Sequence, residues 1–445
     1  MVDFSLSQTA LVVLFISIFV LLVFSEENKL AILMAGVVVI SGVSYFLIDD
    51  FHLAGIFEHI DWEVILILFA MSLLVEALIE LNIFDFISLK LLSYSRGSVS
   101  LLHVFLFITT FLLSAILDNI TAILLMGRLT INLAEGLDID AKPLVISEIF
   151  ATESAGIASP VSSLPSIIVA VEGDVTFLDF LIIFGPLLLI LTPLAIFWFH
   201  YMGIRKIEVK QIENLESKAA TIAGIRIDEL TQNKDRFILA IVIVFLMVFG
   251  FILVSVLPAG FPEISLAYVA LASAVILVLA TRLDFKTIVK RVEWDSVVFF
   301  IGLFLLVGIL EEAQVIKAFS ILLGDLTQGD SLIFASLMIV LTAPASAIVD
   351  NIPITAAMAP VLTDFIASNN LSADKGLFLW LILLTSVTFG AGFSPIGTAT
   401  AIVGIELLRN SKNGTISLWY YIQRITFLSG IFLVISSLYI FWLFV

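Results

Sequence analysis

LDNITAILLM, residues 117–126, and VDNIPITAAM, residues 349–358, each set an Asp-Asn pair at the end of one apolar run and the start of another. A carboxylate at the centre of a bilayer costs at least about 2.5 kcal/mol, so a carboxylate kept there is a functional candidate by default. The two stretches belong to a longer match. Trp62 pairs with Trp294, Asp118 with Asp350 and Met126 with Met358, always at the same offset (294 − 62 = 350 − 118 = 358 − 126 = 232). The chain contains an internal repeat, and its midpoints carry the chemistry.

Composition sets the solvent. Hydrophobic residues make up 61% of the 445 residues, charged residues only 13%, and mean hydropathy is +1.19. Such a chain lives in lipid and is an all-α polytopic membrane protein. Spans are expected at 9–24, 28–49, 62–81, 144–170, 177–203, 236–257, 264–281, 294–313, 377–408 and 417–444, about ten transmembrane helices. The first run, Thr9 to Phe24, follows Asp3 rather than a basic region and reads as a transmembrane helix, not a cleaved signal. With no Cys, disulfides, thiolate metal sites and Cys catalysis are excluded. The histidines, His52, His59, His103 and His200, have no ligand-like spacing; no metal or cofactor is expected, and nothing suggests nucleic acid.

Two further apolar stretches, 99–134 and 331–367, are interrupted at their centres by the Asp-Asn pairs. Each half is expected to be too short to cross alone, so both read as re-entrant hairpins. Charge supports the count. With hairpins not counted as crossings, all of the 21 Lys and Arg except Lys317 and Lys375 fall on one face, as the positive-inside rule demands. The 204–235 linker is then cytoplasmic and both termini lie outside a cell membrane. Five crossings separate Trp62 from Trp294, which makes the two repeats inverted, the architecture of secondary transporters. The domains follow: N-terminal helices 1–58, first repeat 59–203, linker 204–235, scaffold helices 236–290 and second repeat 291–445.

After each hairpin comes a second irregular element. ATESAGIASPVSSLPSIIV (151–169) and TFGAGFSPIGTATAIVG (388–404) put Gly, Ser, Thr and Pro where a spanning helix should be most apolar. Pro160 and Pro165 in one, Gly390, Gly392, Pro395 and Gly397 in the other, break the helical ladder and free backbone groups for a site. Asp118 and Asp350 can coordinate a hard cation or exchange a proton. Asn119 and Asn351 offer donor and acceptor together, and cap a half-helix about as readily as they bind cargo. Thr121, Ser159, Ser162, Ser163, Thr355, Ser394, Thr398 and Thr400 supply hydroxyls, although helix packing claims such residues equally often. Glu80 and Glu312, again 232 apart, mark helix ends.

LDNITAILLMGRLTINLAEGLDID with VDNIPITAAMAPVL and GAGFSPIGTATAIVG resembles the ion transporter superfamily, in the branch of the arsenite permeases, the pink-eyed-dilution proteins and the NhaD sodium/proton antiporters. The resemblance covers roughly 60–410. It implies a scaffold and a moving transport domain, often in a homodimer, working like an elevator, with the ion and substrate site at Asp118, Asn119, Thr121, Glu153, Ser159, Ser162, Asp350, Asn351, Thr355, Gly392, Ser394, Gly397 and Thr398. The dicarboxylate branch carries Ser-Asn-Thr at both tips. Here the tips read Asp118-Asn119-Ile120-Thr121 and Asp350-Asn351-Ile352-Pro353, which speaks against a dicarboxylate.

The chain departs from the branch at one place. Pink-eyed-dilution-like members run Asn-Ile-Gly-Gly where this sequence has Glu153-Ser154-Ala155-Gly156, so a neutral amide is exchanged for a carboxylate. Asp118, Glu153 and Asp350 are therefore the proton-coupling candidates, Glu153 expected near Asp118; the alternative is that Glu153 faces a water-filled vestibule or pairs with a basic group such as Arg128. The expected function is a proton- or sodium-coupled antiporter that expels an inorganic solute, arsenite, antimonite or Na⁺. The alternatives are ion-coupled uptake of an anion such as a carboxylate or sulfate, and an intramembrane enzyme with Asp118 and Asp350 as an aspartic dyad. Nothing matches G-x-x-x-x-G-K-[ST], so energy comes from an H⁺ or Na⁺ gradient or from a separate ATPase subunit.

Overall fold

The structure is a computed structural model that describes residues 5–24, 28–48, 51–95, 98–207, 234–257, 264–412 and 414–445. Most of the 204–235 linker lies outside the described residues. Among those described there are helices and turns but no strand. Nine helices among the described residues are long and apolar enough to cross a membrane, and shorter apolar helices accompany them.

The helices are α1 (Leu6–Phe24), α2 (Lys29–Leu47), α3 (Trp62–Glu80), α4 (Ile83–Tyr94), α5 (Val99–Ser114), α6 (Asn119–Leu137), α7 (Lys142–Ala155), α8 (Leu164–Glu172) and α9 (Phe177–Ile207) in the first half. The second half has α10 (Lys234–Ser255), α11 (Leu266–Ala280), α12 (Phe285–Arg291), α13 (Trp294–Glu312), α14 (Val315–Thr327), α15 (Ser331–Val349), α16 (Asn351–Ser368), α17 (Ala373–Ala391), α18 (Ala399–Arg409) and α19 (Leu418–Phe444). The sequence period reappears in the helix boundaries. α3, α4, α5 and α6 begin at Trp62, Ile83, Val99 and Asn119, while α13 to α16 begin at Trp294, Val315, Ser331 and Asn351, each 232 residues later (315 − 83 = 331 − 99 = 232).

Three sequence expectations need correction. One half of each interrupted stretch is not short: α6 and α15 have 19 residues each, about 28 Å at 1.5 Å per residue, close to the thickness of a hydrocarbon core, whereas α5 has 16. Length alone therefore does not make them re-entrant. The amphipathic connecting helices α4 and α14, and the short α12, were not anticipated. Pro165 does not break a helix; it stands in the first turn of α8, where its missing N–H costs nothing.

Two sets of helices pack among themselves. In one, α2 joins α1 to α13, and α3 lies on α11, which also carries α10. In the other, α5 to α9 and α15 to α19 interlock across the halves: α6 packs on α18 of the second half and α16 packs on α8 of the first. The centre of this second set is the repeat-related pair α7 and α17. α7 is buried from Pro143 to Ala155 and α17 from Phe378 to Ala391, while α10 turns Phe245, Leu246 and Phe249 outward, toward the acyl chains in a membrane. A Cβ on Gly390 would run into the Ala343 backbone, so glycine is what lets α17 lie against α15.

Candidate functional site

α7 ends at Gly156 and α17 at Gly392, and the chain restarts as α8 and α18 after turns over 156–163 and 392–398. The interrupted stretches break at 115–118 and at Asp350. Each restart has a capping side chain. Asp118 accepts from the N–H of Ile120 at 2.8 Å and of Thr121 at 3.2 Å, and from the Thr121 hydroxyl. Asp350 accepts from Ile352 N at 3.4 Å, Ser163 from Ser166 N at 3.3 Å and Thr398 from Ala401 N at 3.0 Å. The aspartates, not the asparagines beside them, cap the helices that follow.

All four helix starts face one cavity of about 30 Å³, room for a particle or two the size of water. The residues lining it fall into matched pairs from the two halves. Asp118, Asn119 and Ile120 answer to Asp350, Asn351 and Ile352 at the offset of 232. Glu153, Ser163, Leu164 and Pro165 answer to Thr388, Thr398, Ala399 and Thr400 at an offset of 235 (388 − 153 = 398 − 163 = 235). Only one pair differs in charge. Glu153 stands where the second half has Thr388, and it accepts a hydrogen bond of 3.1 Å from Thr398, itself 2.8 Å from Thr400. Arg128 is exposed and is not its partner.

Other candidates hold the site rather than line it. Ser159 donates to the Ala115 carbonyl at 2.5 Å, and Ser394 donates to the Ala347 carbonyl at 2.5 Å. The two accepting residues are again 232 apart (347 − 115 = 232), so each Ser-Pro turn clasps its Asp-Asn tip in the same way. Ser162 closes its own turn on the Gly156 and Ser159 carbonyls. Thr355 donates to the Asn351 carbonyl at 2.7 Å. The Asn119 amide, with its nitrogen turned inward, lies 2.6 Å from Ser114 Oγ, 3.1 Å from the Thr152 carbonyl and 2.9 Å from the Ser162 carbonyl. Gly392 leaves room for Glu153 Oε2, and a Cβ on Gly397 would meet the Ala391 carbonyl.

Two more cavities have acidic linings. One shares Asp118, Ile120, Ser163 and Leu164 with it and runs between α3 and α13 to Ser72, Glu293 and Ser296. The other, about 330 Å³, is walled by Glu58, Asp61, Glu172, Glu311 and Asp364, with His59 between Glu311 at 2.7 Å and Glu312 at 3.3 Å. None of the three cavities has a Lys or Arg in its lining. Among the described residues no group of three or more His, Asp or Glu has metal-site geometry.

Thr388 and Glu293 were not singled out from sequence. Thr388 could have been found by realigning the second half three residues later beyond the first break, since 235 then replaces 232. Glu293, beside Trp294, carries no motif that would have marked it.

The sequence profile of the citrate transporter family matches residues 10–390. The chain belongs to this family. It is 29% identical over 422 residues to an uncharacterized transporter of Mycobacterium tuberculosis, covering 94% of both chains, and 28% identical to a 46 kDa membrane protein of Mycobacterium leprae, covering 97% of both. The human P protein is 26% identical over 86% of this chain and 53% of its own. Among solved structures, the Alcanivorax borkumensis YdaH transporter has a similar fold, with a TM-score of 0.52 at 12% identity over 84% of this chain and 85% of that one. This member of the citrate transporter family is a multi-pass membrane transporter.

Proposed function

We propose that the protein is a proton- or sodium-coupled antiporter for a small inorganic solute, a cation such as Na⁺ or an uncharged hydroxide such as arsenite or antimonite. One observation supports this reading above others: Asp118, Glu153 and Asp350 share a cavity of about 30 Å³ that has no basic side chain in its lining. Three carboxylates in low dielectric repel an anion, and the space is far smaller than an organic polycarboxylate requires. The other carboxylate-walled cavities favour the approach of a cation by raising its local concentration.

In this reading the set α5–α9 with α15–α19 moves as a body against the set built on α3 and α13, with the two repeats inverted and the Asp-Asn tips as re-entrant hairpins. Cargo and coupling ion compete for the same carboxylates, so only one is carried in each direction. The Thr398 bond keeps Glu153 in the cavity when it is either charged or neutral, because a hydroxyl can donate to a carboxylate or accept from a carboxylic acid.

Uptake of an anion is the second reading. It draws on the four helix N-termini that converge on the cavity, whose dipoles favour negative charge, and on the family's description. Purified protein in liposomes with an imposed pH or sodium gradient, offered radiolabelled Na⁺, arsenite, sulfate and citrate in turn, separates the two. Gradient-driven movement of Na⁺ or arsenite is the expected result. Movement of citrate or sulfate alone overturns the antiporter reading in favour of the second.

A further inference from the structure

Away from the cavity, buried polar groups concentrate in a seam between α5 and α7. His103, Thr110 and Ser114 stand at i, i+7 and i+11 on α5, one face of the helix, and all are fully buried. α7 packs on that face and brings Glu148 and Thr152, which are also fully buried. Thr130 of α6 donates to Glu148 Oε1 at 2.6 Å and Thr110 reaches the same oxygen at 3.4 Å. Glu148 Oε2 has no partner, nor has either ring nitrogen of His103. One turn beyond Glu148, Ser114 and the Thr152 carbonyl meet the Asn119 amide, and with it the first Asp-Asn tip.

Each unsatisfied buried polar group costs about 1–3 kcal/mol, and an ionised carboxylate in hydrocarbon costs more. Glu148 has no counter-charge to offset this. Its own helix carries Lys142 and Glu153, and the packed elements carry His103 (α5), Arg128 and Glu135 (α6), Asp179, His200, Tyr201, Arg205 and Lys206 (α9), Asp374 and Lys375 (α17), Glu406 and Arg409 (α18), and Tyr420, Tyr421, Arg424 and Tyr439 (α19). None of these acts on Glu148, whose interactions are confined to the Thr110 and Thr130 hydroxyls. A resident alkali cation would need a cage of several oxygens. Here one carboxylate oxygen is taken up by two hydroxyls and the other faces no donor or acceptor.

We propose that Glu148 is a second proton-binding site of the transporter, outside the cargo cavity. The Glu148 carboxylate takes up a proton as a carboxylic acid, and returns to carboxylate by passing the proton on toward Glu153. Glu153 lies five residues along the same helix, about 7.5 Å by helical rise. The proposal rests on the reading of Glu153 as the coupling carboxylate only in its last step.

Infrared difference spectroscopy of the full-length protein in liposomes after a pH step reads protonated carboxyls directly, without a cargo. The expected spectrum contains a carboxyl C=O band that is absent in Glu148→Gln, shifted but present in Thr130→Val, and unaffected by sodium. The proposal is overturned if Glu148→Gln removes no band, if the band ignores the pH step, or if sodium replaces the proton there. A band lost in Glu148→Gln while none is lost in Glu153→Gln supports the Glu148 site and counts instead against Glu153 as the coupling group.

Discussion

Thr398, the cap of α18, donates at 3.1 Å to Glu153 near the end of α7, a contact across 245 residues of sequence. It ties the broken element of one half to that of the other at the one cavity position where the halves differ in charge. If the bond orients the carboxylate, Thr398→Ser should transport normally. Thr398→Val keeps the shape but removes the hydroxyl. It should lower the melting temperature by the equivalent of about 1 kcal/mol and reduce transport more than Thr400→Val does.

The two aspartates serve both as caps and as charges, and substitutions separate these roles. Asn caps about as well as Asp, whereas Ala loses about 1 kcal/mol. Asp118→Asn should therefore melt close to wild type yet fail in coupled transport, and Asp118→Ala should fail in both. Normal transport by Asp118→Asn, measured in liposomes, would place the ion elsewhere.

Asp350 differs from Asp118 in its backbone. It has φ 110° and ψ 148°, whereas Asp118 has φ −68° and ψ 152°. A non-glycine residue at such a positive φ carries strain on the order of 1–3 kcal/mol, and its cap bond is long at 3.4 Å. Asp350→Gly is expected to raise the melting temperature while abolishing transport. A lower melting temperature would show that the carboxylate, rather than the backbone, dominates stability at this tip.

Much of this was legible before any coordinates. The Asp-Asn pairs and the Gly- and Pro-rich stretches announced themselves because polar residues in an apolar chain stand out, and the structure gathers them at one cavity. What sequence could not show was which hydroxyls point inward. Ser159 and Ser394 have the same composition signature as Ser163 and Thr398, but each follows the glycine end of a helix and turns to a carbonyl of the neighbouring tip. Thr388 was hidden by a three-residue insertion between the halves, and α4 and α14 by their lower apolar content. α6 and α15 were underestimated because an Asp-Asn pair reads as a midpoint, while one half of each stretch is nearly as long as a hydrocarbon core is thick.

The topology is open to a direct check. The chain lacks Cys, and Lys286 and Lys375 are both exposed. With the linker in the cytoplasm, Lys286→Cys should react with an impermeant maleimide only from the cytoplasmic side and Lys375→Cys only from outside. Labelling of both from one face would contradict the crossing count and the inverted relation of the repeats.

The central claim is that Glu153, the unmatched carboxylate of a two-fold cavity, exchanges a proton for cargo. It is tested most directly by the pH profile of Glu153→Gln in liposomes, measured once under a pH gradient and once as cargo-for-cargo exchange without one. The account predicts that gradient-driven transport is lost and its pH dependence flattened, while exchange at zero gradient continues. An unchanged pH profile in Glu153→Gln would contradict it and move the coupling role to Asp118 or Asp350.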